Sequence, residues 1–327
     1  MKAMLVDEKR ELVWSEVPDP VMGAEDVLVR IHAAALNRAD LLQRQGKYPS
    51  PAGCPPWMGL EIAGEIVAVG SGVKNHKIGD RICALLGGGG YAEYVSVKED
   101  MLMPVPKGLS MVEAAALPEA FATSYLNLVE EGHLEAGQTA FIPAGSSGLA
   151  SAAIPLAKAL GARVVSTVRK EKDIPYVRSL GADRVIHSTV EDVAVALAEE
   201  ETNGTPVFVS MDCLSGDMLG KSLPYMARGG YWVVISTLAG TETTVPLRPL
   251  LTKGLHVVGS MLRNRTPAFK ARLLAKLVEV VWPKIEDGTI RPVVDRVFPI
   301  EEAAAAHRVL ETGENSGKVV LRIYGDD

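Results

Sequence analysis

The segment AGSSGLA, residues 144–150, places two glycines and two serines between an apolar run and a helical pattern. Gly145 and Gly148 allow a tight turn, and the first N–H groups of the following helix favour an anion. Together with the flanking runs TAFIPA and ARVVSTV, this order is typical of a strand, turn, helix and strand that bind a dinucleotide pyrophosphate. A glycine turn that serves packing alone gives the same pattern, so other residues must decide.

The residues after the second apolar run distinguish between two cofactors. An NAD site usually carries Asp or Glu there, about 20 residues past the glycines, for the ribose 2′-hydroxyl. Here the apolar run ends at Val168, and the residues that follow it are Arg169, Lys170, Glu171 and Lys172. Three cations and no carboxylate at the strand end favour a 2′-phosphate and therefore NADPH. Solvated loop charges would produce the same cluster.

The composition limits the class of protein. The 327 residues, 47% of them hydrophobic, are enough for about two domains. A net charge of −6 without a Lys/Arg-rich tract argues against nucleic acid as a partner. No apolar run is long enough to span a membrane, and the N-terminus is charged, so we expect a cytoplasmic protein. The cysteines and histidines are scattered without ligand spacing, which predicts no metal site.

Two kinds of domain are needed to position these residues. Residues 1 to about 100 alternate in hydropathy between Pro and Gly, as short β-strands do, whereas residues 120–263 alternate strands with helices. We predict an α/β protein with a β-rich catalytic domain (1–119 and 264–327) and a doubly wound parallel-sheet NADPH-binding domain (120–263). Thr123 is expected at the start of the helix that joins them. The glycines at 87–90 predict a flexible surface turn.

The segment from Asn37 to Glu61 is the candidate active-site loop. It starts as a short helix, breaks at Gly46 and becomes proline-rich, and a long loop in a compact domain is usually functional. Tyr48 could donate a hydrogen bond to a carbonyl oxygen, or could serve loop packing. Asn37 could face the substrate or cap the helix, and both roles are compatible.

Several longer motifs carry a resemblance over essentially the whole chain: NRADLLQRQGKYP, GLEIAGEIVAVGSGV, GDRICALLGGGGYAEYV, AAALPEAFATSY, GSMLRNR and GENSGKVVL. They resemble the zinc-independent, zeta-crystallin-like quinone oxidoreductases of the medium-chain dehydrogenase/reductase superfamily. The resemblance implies a GroES-like catalytic domain, a Rossmann domain and an active site in their cleft. Zinc-dependent relatives have a ligand Cys in place of Asn37 and a ligand His in the motif held here by Gly59, Leu60 and Glu61, so metal-free catalysis is implied.

The resemblance also implies roles for individual residues. Asn37 and Tyr48 would be catalytic and face the nicotinamide and substrate. The implied contacts with the phosphates and the adenosine are Gly145, Ser147, Gly148 and Leu149 at the pyrophosphate, Arg169, Lys170 and Lys172 at the 2′-phosphate, and Ser188 near the adenosine. The implied contacts with the nicotinamide are Thr123 at its ring or ribose and Ser236, Thr237, Leu238, Ser260, Met261 and Leu262 at its carboxamide. Lys318, near the C-terminus, would also contact the cofactor. Ala150, Pro155 and Ser188 depart from the residues usual in the family, which bears on cofactor affinity.

These observations lead to one main functional expectation and two alternatives. We expect hydride transfer from NADPH to a quinone, with orientation and exclusion of water as the protein's contribution. The alternatives are reduction of the double bond of a 2-alkenal or enone, and an NADPH-binding sensor or structural protein with slight activity. The apolar segment HVVGSML, at the expected sheet edge, predicts a homodimer formed by strand pairing.

Overall fold

The computed structural model describes residues 1–325, which form two units. The first unit comprises Met1–Ala122 and the chain from Arg263 onward, and the second comprises Thr123–Leu262. The first unit is therefore discontinuous in sequence. Within residues 1–325, no helix has the length and apolar character needed to cross a lipid bilayer.

Strands and helices alternate most regularly in the middle of the chain. The strands are β1 (Lys2–Val6), β2 (Leu12–Glu16), β3 (Asp26–Ala35), β4 (Glu61–Val69), β5 (Arg81–Leu85), β6 (Tyr94–Lys98), β7 (Leu102–Pro104), β8 (Thr139–Ile142), β9 (Arg163–Val168), β10 (Arg184–His187), β11 (Val207–Asp212), β12 (Met226–Val234), β13 (His256–Gly259), β14 (Val294–Pro299) and β15 (Lys318–Arg322). The α-helices are α1 (Arg38–Arg44), α2 (Met111–Ala115), α3 (Pro118–Tyr125), α4 (Ala150–Ala159), α5 (Ile174–Ser179), α6 (Val193–Thr202), α7 (Asp217–Ser222), α8 (Leu247–Lys253), α9 (Pro267–Val280), α10 (Trp282–Glu286) and α11 (Ala303–Thr312).

The first unit is built on a sheet in the order β14-β15-β3-β4-β5-β7, with β6 also paired to β3. Its central strand β3 buries alternate residues of DVLVRIH, as its alternating hydropathy predicts, and then three successive alanines. Both β4 and β15 pair antiparallel with β3, in the registers Ala34 with Ile62 and Ala35 with Val320. The end of β3 therefore lies beside the beginnings of β4 and β15.

The second unit contains a parallel sheet in the order β10-β9-β8-β11-β12-β13. Alternate residues of β8 enter two separate cores: Phe141 packs in the cluster with Trp232, and Ile142 in the cluster with Ile154. Burial on both faces explains why TAFI is continuously apolar. The strand order reverses between β8 and β11, and ligands of such sheets bind at this point, beyond the carboxyl ends of the strands. The predicted doubly wound sheet is confirmed.

The structure differs from the sequence-based expectations at Thr123 and at the glycine run, and it places Pro155 within a helix. Thr123 lies near the end of α3, so its expected position at the helix start was wrong. The glycines at 88–90 are buried rather than a surface turn, and a Cβ on Gly59 would lie only 2.5 Å from the Gly90 Cα, so this close packing requires glycine. Pro155 lies inside α4, and the helix continues past it to Ala159.

Candidate active site

The carboxyl edge of the parallel sheet collects nearly all of the predicted nucleotide-binding residues of the second unit. Each group follows the end of a strand, and Thr123 on α3 is the exception. The groups are Gly145, Ser147, Gly148 and Leu149 after β8; Arg169, Lys170 and Lys172 after β9; Ser188 after β10; Ser236, Thr237 and Leu238 after β12; and Ser260, Met261 and Leu262 after β13. Because the strands are parallel, these groups share one edge, which is where a dinucleotide binds in such sheets.

The turn after β8 is held by close packing. Ala144 has a left-handed φ of 56°, and a Cβ on Gly145 would lie 2.4 Å from the Ser166 Oγ on the neighbouring strand. Gly145 therefore serves the packing of the turn, the simpler of the two interpretations of this glycine. The Ala150 N–H donates to the Ser147 Oγ at 3.2 Å, which fixes the start of α4.

The basic residues after β9 differ in their exposure to solvent. Arg169 and Lys172 are exposed and Lys170 is half-buried. No carboxylate stands between Val168 and Lys170. The backbone N–H and the hydroxyl of Ser188 both donate to the Val168 carbonyl, at 2.9 and 3.1 Å. Ser188 thus ties the end of β10 to β9.

The ends of β12 and β13 offer groups for a nicotinamide. The Ser236 carbonyl accepts a hydrogen bond from the Ser215 hydroxyl at 2.8 Å, whereas Thr237, Leu238 and Met261 are exposed. The buried Ser260 Oγ has no hydrogen-bond partner among residues 1–325. An unpaired buried hydroxyl at the carboxyl edge of a parallel sheet is consistent with a bound polar group such as a carboxamide. These residues fit a nicotinamide cofactor.

Thr123 lies on α3 and is buried. Its backbone carbonyl accepts a hydrogen bond from the Asn127 side-chain amide at 2.7 Å. The contact holds the end of α3 to the π-helical turn Leu126–Glu130. Its contact with the nicotinamide stays a prediction.

In the first unit, the strand register brings together three polar side chains that are far apart in sequence. The Lys318 ammonium donates to the Leu36 carbonyl at 2.8 Å, to Asn37 Oδ1 at 2.8 Å and to Glu61 Oε1 at 2.6 Å. Asn37 Nδ2 donates to the same Glu61 oxygen at 2.9 Å, and the Glu119 backbone N–H donates to Glu61 Oε2 at 2.8 Å. We call Asn37, Glu61 and Lys318 the lysine cluster. Because the ammonium is 4% exposed and has used its three N–H groups, none is left for the cofactor contact expected of Lys318.

A zinc ion does not fit the lysine cluster. Zinc in proteins is bound by thiolate, imidazole and carboxylate groups in a tetrahedron. Here the one carboxylate already binds an ammonium, and the other side chain is an amide. In the part of the chain that the structure describes, no three His, Cys, Asp or Glu side chains are grouped to hold a metal.

Asp40 holds the backbone of Asn37 through a hydrogen bond. Asn37 is the N-cap residue of α1, and its backbone N–H donates to Asp40 Oδ2 at 2.7 Å. Asp40 also accepts from the Gly59 N–H at 3.2 Å and from the Tyr91 hydroxyl at 3.1 Å. Burial raises the pKa of Asp40 to about 6, against the effect of these hydrogen bonds. The Tyr91 hydroxyl lies 3.4 Å from His307 Nε2, and burial lowers the pKa of His307 to about 3.

Arg263 holds the loop that carries Tyr48. Its guanidinium lies 4.5 Å from the centre of the Tyr48 ring and donates to the Tyr48 carbonyl at 3.2 Å. It also donates to Gln43 Oε1 at 2.9 Å and to the Gly87 carbonyl at 2.6 Å. Burial raises the pKa of the Tyr48 hydroxyl, and the charge of Arg263 opposes the shift. The hydroxyl therefore stays protonated at neutral pH and can donate a hydrogen bond.

Sequence reasoning missed the parts that Glu61, Asp40 and Arg263 play. Glu61 was noted only within a motif that lacks a zinc ligand, and Asp40 only as a residue of a short helix. Their partners lie far away in sequence, so no local pattern predicts these contacts. The one available signal was Asp40 three residues after Asn37, the spacing at which a helix N-cap and an acidic side chain bond to each other.

Comparisons with known proteins agree with this architecture. Residues 23–107 match the alcohol dehydrogenase GroES-like domain, and residues 180–321 match a family described as zinc-binding dehydrogenase. A quinone oxidoreductase-like protein 2 homolog of Nematostella vectensis is 31% identical over 303 residues, which cover 92% of this chain and 82% of that protein. A mycocerosic acid synthase-like polyketide synthase of Mycolicibacterium smegmatis is 31% identical over 318 residues, 97% of this chain but 15% of the synthase.

Solved structures are similar over nearly the full length. An NAD-dependent alcohol dehydrogenase has a TM-score of 0.85 at 30% identity, covering 99% of this chain and 100% of that one. The quinone oxidoreductase of Thermus thermophilus, solved alone and with NADPH, has a TM-score of 0.81 at 30% identity, with coverages of 99% and 100%. With a GroES-like domain and a Rossmann-type sheet in one chain, this protein belongs to the medium-chain dehydrogenase/reductase superfamily of oxidoreductases.

Proposed function

We propose that this protein is an NADPH-dependent quinone oxidoreductase that works without a metal ion. The observation that carries the proposal is the lysine cluster. There the Lys318 ammonium binds the carboxylate of Glu61, a residue of the motif that holds a zinc ligand in zinc-dependent relatives. Oxidation of a simple alcohol by zinc-dependent relatives uses a Lewis acid at this place, and these donors do not provide its ligands. A quinone accepts a hydride without one, because the conjugated ring spreads the resulting charge.

The choice of NADPH rests on the cations after β9. Arg169, Lys170 and Lys172 would bind the 2′-phosphate through charge-assisted hydrogen bonds. An NAD site would offer a carboxylate at this strand end, and none is present between Val168 and Lys170.

The chain's own residues orient the acceptor and stabilise its charge. When bound, the reduced nicotinamide supplies a hydride, and a proton from water completes the reduction of quinone to hydroquinone. Tyr48 donates from its protonated hydroxyl to one carbonyl oxygen of the quinone. Asn37 donates from the Nδ2–H that is not used by Glu61. Both donors stabilise negative charge as it develops on oxygen.

Reduction of the double bond of an enone is the second candidate. Two comparisons favour enone reduction. Nearly the whole chain matches 15% of a polyketide synthase. The CurF ER cyclopropanase is similar in structure, with a TM-score of 0.84 at 25% identity. Both reactions place negative charge on a carbonyl oxygen after hydride transfer, so the same donors serve either acceptor. Only the acceptors distinguish the two functions.

Stopped-flow oxidation of NADPH against ortho-quinones, para-quinones and enones tests the proposal. We expect faster oxidation with quinones than with enones of similar size. Faster oxidation with enones would assign the second function. NADPH binding without oxidation by any acceptor would instead favour a sensor or structural protein.

We further propose a homodimer formed through β13. This strand is the edge of the parallel sheet, and its Val257 is 44% exposed. Val257→Lys should convert the dimer to monomer in sedimentation at micromolar concentration, whereas Val190→Lys, at another exposed valine of the unit, should not. A wild-type monomer would contradict the proposal. Cys54, Cys83 and Cys213 form no disulfide within residues 1–325, which suits a reducing compartment, and we propose a cytoplasmic location.

A further inference from the structure

The lysine cluster contains a buried ion pair whose polar atoms are matched to one another. Glu61 is fully buried, and its two oxygens receive three N–H donors, from Lys318, Asn37 and the Glu119 backbone. Buried charges are unfavourable unless they are paired and hydrogen-bonded, and here both conditions hold. The arrangement therefore gives each of the two charged groups hydrogen-bond partners inside the protein.

The ion pair also fixes which way the Asn37 amide points. Its oxygen faces the Lys318 ammonium at 2.8 Å, and its nitrogen faces the Glu61 carboxylate at 2.9 Å. If the amide were reversed, its NH₂ group would meet an ammonium and its oxygen would meet a carboxylate. The electrostatic cost of both contacts excludes the reversed amide.

One N–H of Asn37 remains available. The other acceptor near Nδ2 is the Ala35 carbonyl at 3.5 Å, which is longer than an ordinary N–H···O hydrogen bond. A cation bound to an amide oxygen draws electron density from the nitrogen, so its N–H groups become stronger donors. Asn37 as a whole is half-buried rather than enclosed in the core.

We propose that Lys318 is a positioning residue, whose ammonium orients and polarises the Asn37 amide so that the remaining N–H stabilises the oxyanion of the carbonyl acceptor. The inference rests on the proposed function, in which Asn37 faces the acceptor. A donor that is held in place before the reaction needs no reorganisation when charge develops. Lys318 thus acts through Asn37 and does not touch the cofactor.

The test neutralises the ion pair on both sides. Lys318→Met with Glu61→Gln removes both charges, so that no buried ion is left without a partner. The matched control is Arg30→Met with Glu65→Gln, a half-buried ion pair at 3.1 Å between β3 and β4, the strand that also carries Glu61. Both variants are first checked for cooperative thermal unfolding and for the dissociation constant of NADPH.

We expect kcat for quinones to fall by roughly 10- to 100-fold in the first variant, because removal of an oxyanion donor typically costs 10²–10³ and here the donor is weakened. The loss should be larger for quinones of lower reduction potential, which depend more on carbonyl polarisation. The control variant should keep kcat. The dissociation constant of NADPH should be unchanged in both. Unchanged kcat in a folded first variant would overturn the inference, and so would weakened NADPH binding with normal kcat.

A spectroscopic measurement separates this inference from the proposed function. In wild-type protein, the Nδ2 proton of Asn37 that is bonded to Glu61 should give an NMR signal shifted downfield of the usual range for Asn side-chain amides. The shift should be lost in the Lys318→Met/Glu61→Gln variant and kept in the control. Ordinary, unshifted Asn37 side-chain amide signals in the wild type would overturn the inference even if quinones are reduced. Failure to reduce any quinone, with these signals as expected, would contradict only the proposed function.

Discussion

The lysine cluster and the basic strand end after β9 use positive charge in opposite ways. In the first, Lys318 is 4% exposed and its three N–H groups are bonded within the protein. In the second, Arg169 and Lys172 are exposed to solvent. A buried, fully bonded charge sets up the site before any ligand arrives, whereas exposed charges gain fixed partners from a ligand. The first should therefore dominate stability, and the second should dominate the choice of cofactor.

The largest effect should come from removing one partner of the buried pair. Lys318→Met alone leaves the Glu61 carboxylate buried without its ammonium, and breaking such a pair costs about 3–5 kcal/mol. Lys172→Met, at an exposed lysine, should change the free energy of unfolding by less than about 0.5 kcal/mol. Urea unfolding at pH 7 measures both. Equally small losses would show that the cluster does not hold the first unit together.

The next effect is a pH dependence that arises from Asp40. Its pKa is raised from 3.8 to about 6, so the folded state binds the proton more tightly than the unfolded state. This contribution to stability is complete below pH 3.8 and is lost as the pH rises through 6. It amounts to about 3 kcal/mol at 1.36 kcal/mol per pKa unit.

Comparison with Asp40→Asn isolates the contribution of Asp40. The depressed pKa of His307, about 3 instead of 6.5, acts in the opposite direction, because its stability is lost as the pH falls below 6.5. Since His307 is present in both proteins, it cancels in the difference. The wild type minus Asp40→Asn difference in unfolding free energy should be larger at pH 4 than at pH 7. A difference that is constant with pH would mean that the Asp40 pKa is not raised.

The cations after β9 should produce an effect on binding rather than on stability. Arg169→Ala with Lys170→Ala should weaken NADPH binding by roughly 10- to 100-fold, since hydrogen bonds to charged groups contribute about 1.5–3 kcal/mol. NADH binding should change little, and Lys221→Ala, at another exposed cation of the same unit, should affect neither cofactor. Fluorescence titration gives the dissociation constants. Equal losses for NADH and NADPH would defeat the 2′-phosphate assignment.

The smallest effect is expected at the active-site loop. Tyr48→Phe removes one neutral hydrogen-bond donor while the Asn37 amide still donates to the acceptor, so the loss should be about 1 kcal/mol, a roughly fivefold lower turnover. Binding of NADPH should be unaffected, because Arg263 also holds the loop through the Tyr48 carbonyl and the Gln43 side chain. Tyr324→Phe serves as the control. Quinone kinetics unchanged by Tyr48→Phe would remove the hydroxyl from the mechanism.

The difference between the two regions also explains what sequence could predict. The parallel sheet and its glycine turn follow from local patterns, because each strand and its turn lie within a few residues of one another. The lysine cluster depends on the register of β3 with β4 and β15, which join residues from both ends of the chain. The sequence shows Lys318 near the C-terminus but not which carboxylate it meets. For the same reason, the buried packing of the glycines at 88–90 against the proline-rich loop was not foreseen.

The central claim is metal-free hydride transfer from NADPH to a quinone, and single-turnover oxidation of NADPH deuterated at C4 tests it directly. With an ortho-quinone as acceptor, we expect a primary isotope effect on the oxidation rate and the same rate before and after dialysis against a chelator. An oxidation rate that is insensitive to deuterium and is lost with the metal would contradict the claim.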